Sequence, residues 1–206
     1  MQSLLFNRPE LHIFRDDASM RATIDYLSVI IDIAVELGAT VLVFGSPKQR
    51  TIAGIDPSDV ARRETEFFWR VGAAAAGAGV HFCVEPNPPA YGCDYINTID
   101  EVVALLNRVS SQGLGVHADA AAMTMVGDAP ETLIALAPVL KHFHVSEQDL
   151  APIGSRGVPH ERFAAALHAG GYRWLTSIEM RAGALGENAE RVRAALATAR
   201  AAYGAG

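Results

Sequence analysis

The chain is poor in cysteine, in charge and in unbroken apolar runs, and each shortage removes a class of protein. Its two cysteines, Cys83 and Cys93, have neither the number nor the spacing of a disulfide framework or a zinc knuckle. Cys83 falls inside an apolar run and reads as a small core residue, whereas Cys93 falls in a loop open to solvent. Charged residues make up only 19% of the chain and balance to −6. Phosphate binding along nucleic acid needs a basic stripe, so nucleic acid is excluded as a partner. A small anionic substrate is not excluded, because one local Lys or Arg overrides the global sign. The most apolar stretch, Tyr26 to Phe44, is interrupted by Asp32, Glu36 and Gly38 and reads as helix then strand rather than a membrane span. Met1 to Phe6 is too short for the apolar core of a signal peptide, and Arg8 and Glu10 follow at once. The expectation is a cytoplasmic protein with no membrane partner.

What is present is a packed globular composition, 50% hydrophobic, repeating a strand–loop–helix period. Strands are expected at Met1 to Phe6 and Thr40 to Phe44, then in four further runs. Helices are expected from about Ser19, as N-cap, to Leu37, and from Asp56-Pro57-Ser58 to about Ala76. Others follow at Thr98 to Val109, Pro130 to Leu136, His160 to His168 and Glu187 to Tyr203. A long loop, Val145 to Val158, lies between two of them. With no internal break in composition, residues 1–206 read as one domain of six βα units, an α/β fold with a parallel sheet. A closed (β/α)8 barrel typically takes about 250 residues, and a βαβ unit about 30 or more. The fold is therefore expected to be a (β/α) TIM-barrel-like domain, incomplete by about two units.

The four later runs each end on a metal-binding side chain. They are Val80-His81-Phe82-Cys83-Val84-Glu85, Leu114-Gly115-Val116-His117-Ala118-Asp119, Leu140-Lys141-His142-Phe143-His144 and Trp174-Leu175-Thr176-Ser177-Ile178-Glu179. In a parallel α/β sheet the carboxyl ends of the strands share one face, so residues distant in sequence converge there. Glu85, Asp119, His144 and Glu179 together form three carboxylates and an imidazole, a donor set for a hard divalent cation.

These strand ends resemble the xylose-isomerase-like barrel superfamily, in its sugar isomerase/epimerase branch. That branch includes ketose 3-epimerases, hydroxypyruvate isomerases and inosose dehydratases. The matching segments are Val84-Glu85-Pro86-Asn87, His117-Ala118-Asp119, Phe143-His144-Val145-Ser146-Glu147 and Ser177-Ile178-Glu179-Met180-Arg181. Asp119 stands 34 residues beyond Glu85, His144 a further 25 and Glu179 a further 35, one βα unit each. The resemblance implies one divalent cation (Mn2+, Mg2+ or Co2+) held by Glu85, Asp119, His144 and Glu179. It implies Glu85 and Glu179 as the acid/base pair, and a sugar or polyol as the small-molecule substrate. It also implies that the first two βα units are absent, leaving open sheet edges that predict self-association into a homo-oligomer. One departure stands out. Many such epimerases carry a His three residues after the metal-binding Asp, and here that position is Ala122.

The implied chemistry removes a weakly acidic proton beside a carbonyl, with one carboxylate taking it and another returning it. An inosose-type dehydratase would use the same metal and base, and a vestigial barrel fragment acting as an assembly partner would use neither. The endonuclease IV branch needs more His and acidic ligands and a basic surface. Lys48 is either an anion contact or a solvated loop lysine. Asn87, Tyr91, Glu147 and Arg181 are further substrate-binding candidates, with Arg181 also placed to pair with Glu147. His142 is expected to face inward and His160 to open a helix, while His81 and His168 are expected in surface or packing roles. His117 is assigned to the opposite side of its strand from Asp119 and left out of the site.

Overall fold

The computed structural model describes residues 1–204, which form five strands and six α-helices. The strands are β1 (Val41–Phe44), β2 (His81–Val84), β3 (Leu114–Asp119), β4 (Leu140–Ser146) and β5 (Thr176–Glu179). Their order in the sheet is their order in the chain, the outcome of successive βα crossovers. The helices are α1 (Asp17–Glu36), α2 (Pro57–Ala78), α3 (Ile99–Val109), α4 (Ala120–Val126), α5 (His160–Ala169) and α6 (Asn188–Tyr203). The chain divides into two compact units, Met1–Val116 and the part from His117 onward, with the boundary inside β3. No described helix is long and apolar enough to cross a membrane.

In the first unit β1, β2 and β3 run parallel, with Val41 opposite His81 and Val84 opposite Val116. Three short loops are fixed by local capping. Asp16, rather than Ser19, caps α1, accepting from the Ser19 N–H at 2.7 Å. Asp56 caps α2 with Pro57 in its first turn, and Thr98 and Glu101 form a capping box on α3. The buried stripe of α1 (Met20, Thr23, Ile24, Leu27, Ile31, Ala34) follows helical spacing. Each of its fully buried large aliphatic side chains stabilises the fold by about 1.5–3 kcal/mol. Phe44, Phe67, Phe68 and Phe82 form one aromatic cluster between β1, β2 and α2. Cys83 is buried as expected, and so is Cys93, whose thiol turns inward onto the Tyr95 carbonyl.

The expected strand at Met1 to Phe6 is not formed. Only Met1 joins the edge of β1, its amino group donating to the Val41 carbonyl and its carbonyl accepting from Val43 at 2.7 Å. Ser3 and Asn7 adopt left-handed φ values of 56° and 57°, which turn the chain away and bury Leu4 and Leu5 instead.

In the second unit β4 and β5 are parallel, with His144 opposite Ser177 and Ser146 opposite Glu179. Strand β4 runs two residues beyond His144, so Val145 and Ser146 are strand rather than loop. Residues Pro130–Leu136 form a 3-10 stretch in place of an α-helix, and α4 before it was not expected. Phe143 packs against Phe163 of α5 and Tyr203 of α6.

In the first unit Asp17 binds Arg62 at 2.7 Å and Arg63 at 2.8 Å, joining α1 to α2. Hydrogen bonds from these two arginines hold its carboxyl down to about 2. A folded-state value below the unfolded one contributes stability that is present above the unfolded value and lost as pH falls through the folded one. The melting-temperature difference between wild type and Asp17→Asn is therefore expected to be constant at pH 5–7 and to shrink from about pH 4 to about pH 2. Melts recorded across that range check it.

Candidate metal centre

Strands β3, β4 and β5 each end on one potential ligand. Asp119 is the last residue of β3, His144 lies two residues before the end of β4, and Glu179 closes β5. The His144 Nδ1 atom lies 3.3 Å from a Glu179 carboxylate oxygen and 3.7 Å from Asp119 Oδ2. One ligand atom from each of the three residues lies within 4.8 Å of the others.

The geometry of Asp119 is set twice over. Its Oδ1 accepts the Ala122 N–H at 2.7 Å, which makes the same residue the N-cap of α4 and leaves Oδ2 turned toward His144. Ser146 also bonds the carboxylate, and its hydroxyl accepts the Ala121 N–H at 3.1 Å. Burial pushes the Asp119 carboxyl above its ordinary value, and the negative charge of Glu179 adds to the rise. The Ala122 and Ser146 hydrogen bonds and the nearby His144 oppose it. Two carboxylates and an imidazole nitrogen drawn together, two of the three groups buried, suit a divalent cation, which would neutralise the like charges. Ala122 is buried and contributes only its backbone N–H.

Glu85 lies in the first unit, one residue past β2, and extends the ladder by donating its N–H to the Phe44 carbonyl at 3.0 Å. Its own carbonyl accepts from the guanidinium of Arg50 at 2.8 Å, and Arg50 is fully buried. Gly45, just after β1, leaves the space that the Glu85 carboxylate occupies. A methyl there would collide with that carboxylate and come within 3.3 Å of Asn87 Oδ1. Neither Gly45 nor Arg50 was expected in a supporting role, because nothing in their local sequence marks them.

The remaining candidates are distributed differently. Lys48 is exposed in a 3-10 turn after β1, and Tyr91 is exposed in another after β2. Asn87 is buried just before that second turn, where its backbone is tied to Ile96 and Asn97. The Arg181 side chain is exposed, and its backbone N–H donates to Leu150 at 2.9 Å. Glu147 is fully buried and its oxygens accept from Gly154 N at 2.8 Å and Arg156 N at 3.1 Å. His160 Nε2 is 3.1 Å from the same carboxylate, and the other ring nitrogen is 2.8 Å from the Tyr203 hydroxyl. The carboxylate is thus saturated by its own loop, in place of the expected contact with substrate or Arg181.

The assignment of His117 to the far side of β3 is corrected. Side chains two apart on a strand share a face, so His117 lies on the face of Asp119. Its ring meets His142 and His144, with centroids 5.1 Å and 4.2 Å away. The same period of two would have found Ser146, two residues beyond His144.

A family model described as the xylose isomerase-like TIM barrel matches residues 6–202. The chain belongs to that family. This xylose isomerase-like chain matches a D-psicose 3-epimerase from Clostridium cellulolyticum H10, solved with D-tagatose, at TM-score 0.79 and 19% identity. The match covers 95% of this chain and 75% of the other. A 3-keto-D-glucoside 4-epimerase from E. coli matches at TM-score 0.80 and 17% identity, over 93% and 76% of the two chains. An IolI protein solved with a zinc atom matches at TM-score 0.74 and 17% identity, over 92% and 72%. No curated protein matches by sequence. At these identities the likeness establishes the xylose isomerase-like fold.

Two outcomes follow for this centre. Gly45→Ala should fold with a nearly unchanged melting temperature and displace the flexible end of the Glu85 side chain, as a crystal structure of the variant would register. Glu147→Ala removes the acceptor of the Gly154 and Arg156 N–H groups and should destabilise the protein by about 1.5–3 kcal/mol in chemical denaturation.

Proposed function

We propose that this protein is a divalent-metal-dependent enzyme of the sugar isomerase/epimerase type, acting on a sugar or sugar acid. The convergence of Asp119, His144 and Glu179 at the ends of β3, β4 and β5 carries the reading. Glu85 is assigned as the fourth ligand. Its support is its place one residue past β2, a strand in parallel register with β3, which ends at Asp119. The oxygen-rich donor set favours Mn2+, Mg2+ or Co2+. When bound, such an ion supplies Lewis-acid polarisation of a substrate carbonyl and its neighbouring hydroxyl.

The other tasks fall to side chains. Glu179, whose side chain is 27% exposed, is assigned to take the proton from the carbon beside the carbonyl. Glu85 returns a proton from the other side, which inverts that carbon or protonates its neighbour. Asp119, locked by Ala122 and Ser146, holds its position through the cycle. Lys48 and Arg181, both exposed cations, are assigned to an anionic substituent on the substrate, and Asn87 and Tyr91 to its hydroxyls. Glu147 is assigned to shaping the loop beyond β4 that borders the substrate. The relatives solved with D-tagatose and D-fructose support a ketose as the first substrate class to screen. Ala122 removes a polar contact, so specificity differs from ketose 3-epimerases that carry a His there.

The test is a thermal melt with and without Mn2+, repeated on Glu179→Gln, followed by a screen of ketoses and inososes. A hundredfold excess over Kd stabilises by about 2.7 kcal/mol, a rise of about 5–10 °C for a chain of this length. That rise is expected in wild type and absent from the variant. A well-folded wild type that ignores Mn2+ would refute the metal-dependent reading.

A further inference from the structure

Beneath the three ligands of the second unit lies a layer whose composition is unusual for a barrel fold. His117, His142 and Ser177 each precede Asp119, His144 and Glu179 by two residues, on β3, β4 and β5. A period of two places each on its ligand's face, one step down the strand. Interior layers of (β/α) barrels are normally filled by branched apolar side chains. Here two imidazoles and a hydroxyl occupy them, and His117 is fully buried.

The contacts in this layer have a definite order. His142 Nε2 lies 2.9 Å from Ser177 Oγ, and His142 Nδ1 lies 3.1 Å from His117 Nδ1. Ring centroids 5.1 Å apart with planes 26° from parallel place those two nitrogens between the rings, so the rings meet edge to edge. If the His142 Nε2–H donates to Ser177, its Nδ1 is left with the lone pair, and an outer acceptor of this kind is what orients a metal-binding histidine. The two Nδ1 atoms are separated by nearly the spacing of adjacent ligands on a tetrahedral zinc, about 3.3 Å for bonds of 2.0–2.1 Å. His144 closes the group edge-on to both rings, and one nitrogen from each of the three lies within 4.8 Å of the others.

We propose that His117, His142 and His144 form a second metal site, made only of imidazoles, that takes a nitrogen-preferring divalent ion such as Zn2+. The site shares His144 with the carboxylate centre but does not rest on the sugar-isomerase reading. Because His144 serves both sets, they compete, and the ion decides which is filled. Mn2+ and Mg2+ prefer the oxygen-rich set above, whereas Zn2+ and Cu2+ accept the three nitrogens below. Zinc bound in the lower layer would draw His144 away from Asp119 and Glu179, so zinc would inhibit a manganese-dependent activity.

Two measurements on the full chain test this. Pulsed EPR of the metal-free protein with one equivalent of Cu2+ counts coordinated imidazoles without any substitution. More than one is expected, since the carboxylate centre offers only His144, and a single imidazole would overturn the proposal. Calorimetric titrations with Zn2+ and with Mn2+ then compare wild type, His142→Asn and Glu179→Gln. His142→Asn should lose about tenfold or more in Zn2+ affinity and keep its Mn2+ affinity. Equal loss for both ions, or no loss for Zn2+, would overturn the second site. Glu179→Gln that keeps its Mn2+ affinity while His142→Asn loses Zn2+ would support this site and refute the carboxylate centre instead.

Discussion

The alternation of side chains along β3, β4 and β5 is the constraint on which the second unit depends. Because neighbouring residues face opposite ways, each strand delivers polar residues to the inner face at alternate positions toward its carboxyl end. Asp119, His144 and Glu179 form one level and His117, His142 and Ser177 the level below. The intervening Ala118, Phe143 and Ile178 face the other way, and Phe143 packs on Phe163 and Tyr203. A one-residue slip of β4 would exchange His144 for Phe143 and destroy both levels at once. The hydrophobic packing of Phe143 therefore fixes the register that holds the ligands.

Around this frame, several buried carboxylates are held by specific partners. Asp119 is bonded by Ala122 and Ser146, Glu147 by the 154–156 backbone and His160. In the first unit, Glu64 accepts from Tyr95 at 2.6 Å and from Arg108 at 2.8 Å. Such groups cost free energy unless satisfied, so their partners are as important to the fold as the apolar contacts.

Much of this was legible in the sequence because its signals are local. Asp56-Pro57, Thr98 with Glu101, and the apolar runs ending on Asp119 and Glu179 each state their structure within a few residues. The failures share a different cause. Met1 to Phe6 has strand composition, but two left-handed residues bend it, and left-handed φ at Ser3 has no sequence marker. Cys93 turns inward because its loop is anchored at Asn97 and Asp94, a tertiary fact. The helix Ala120–Val126 was not expected, although Asp119, which ends the apolar run before it, is also the residue that caps it. His117 shares the face of Asp119 through the strand's period of two, a relation present in the sequence itself. Gly45 and Arg50 could not be read, since their importance lies in what other segments bring beside them.

The loop beyond β4 follows a different logic from the strands. Glu147 holds it mainly through the main-chain N–H groups of Gly154 and Arg156, with Val158 N at 3.5 Å. A main-chain donor survives exchange of the side chain it belongs to, except for exchange to proline. The loop's course is thus insulated from most changes in its own sequence. Arg156 and its neighbours can vary over generations while the carboxylate keeps the loop in place. A family that must meet new substrates with one scaffold would have, in this segment, a stretch of chain that can be rewritten without being refolded.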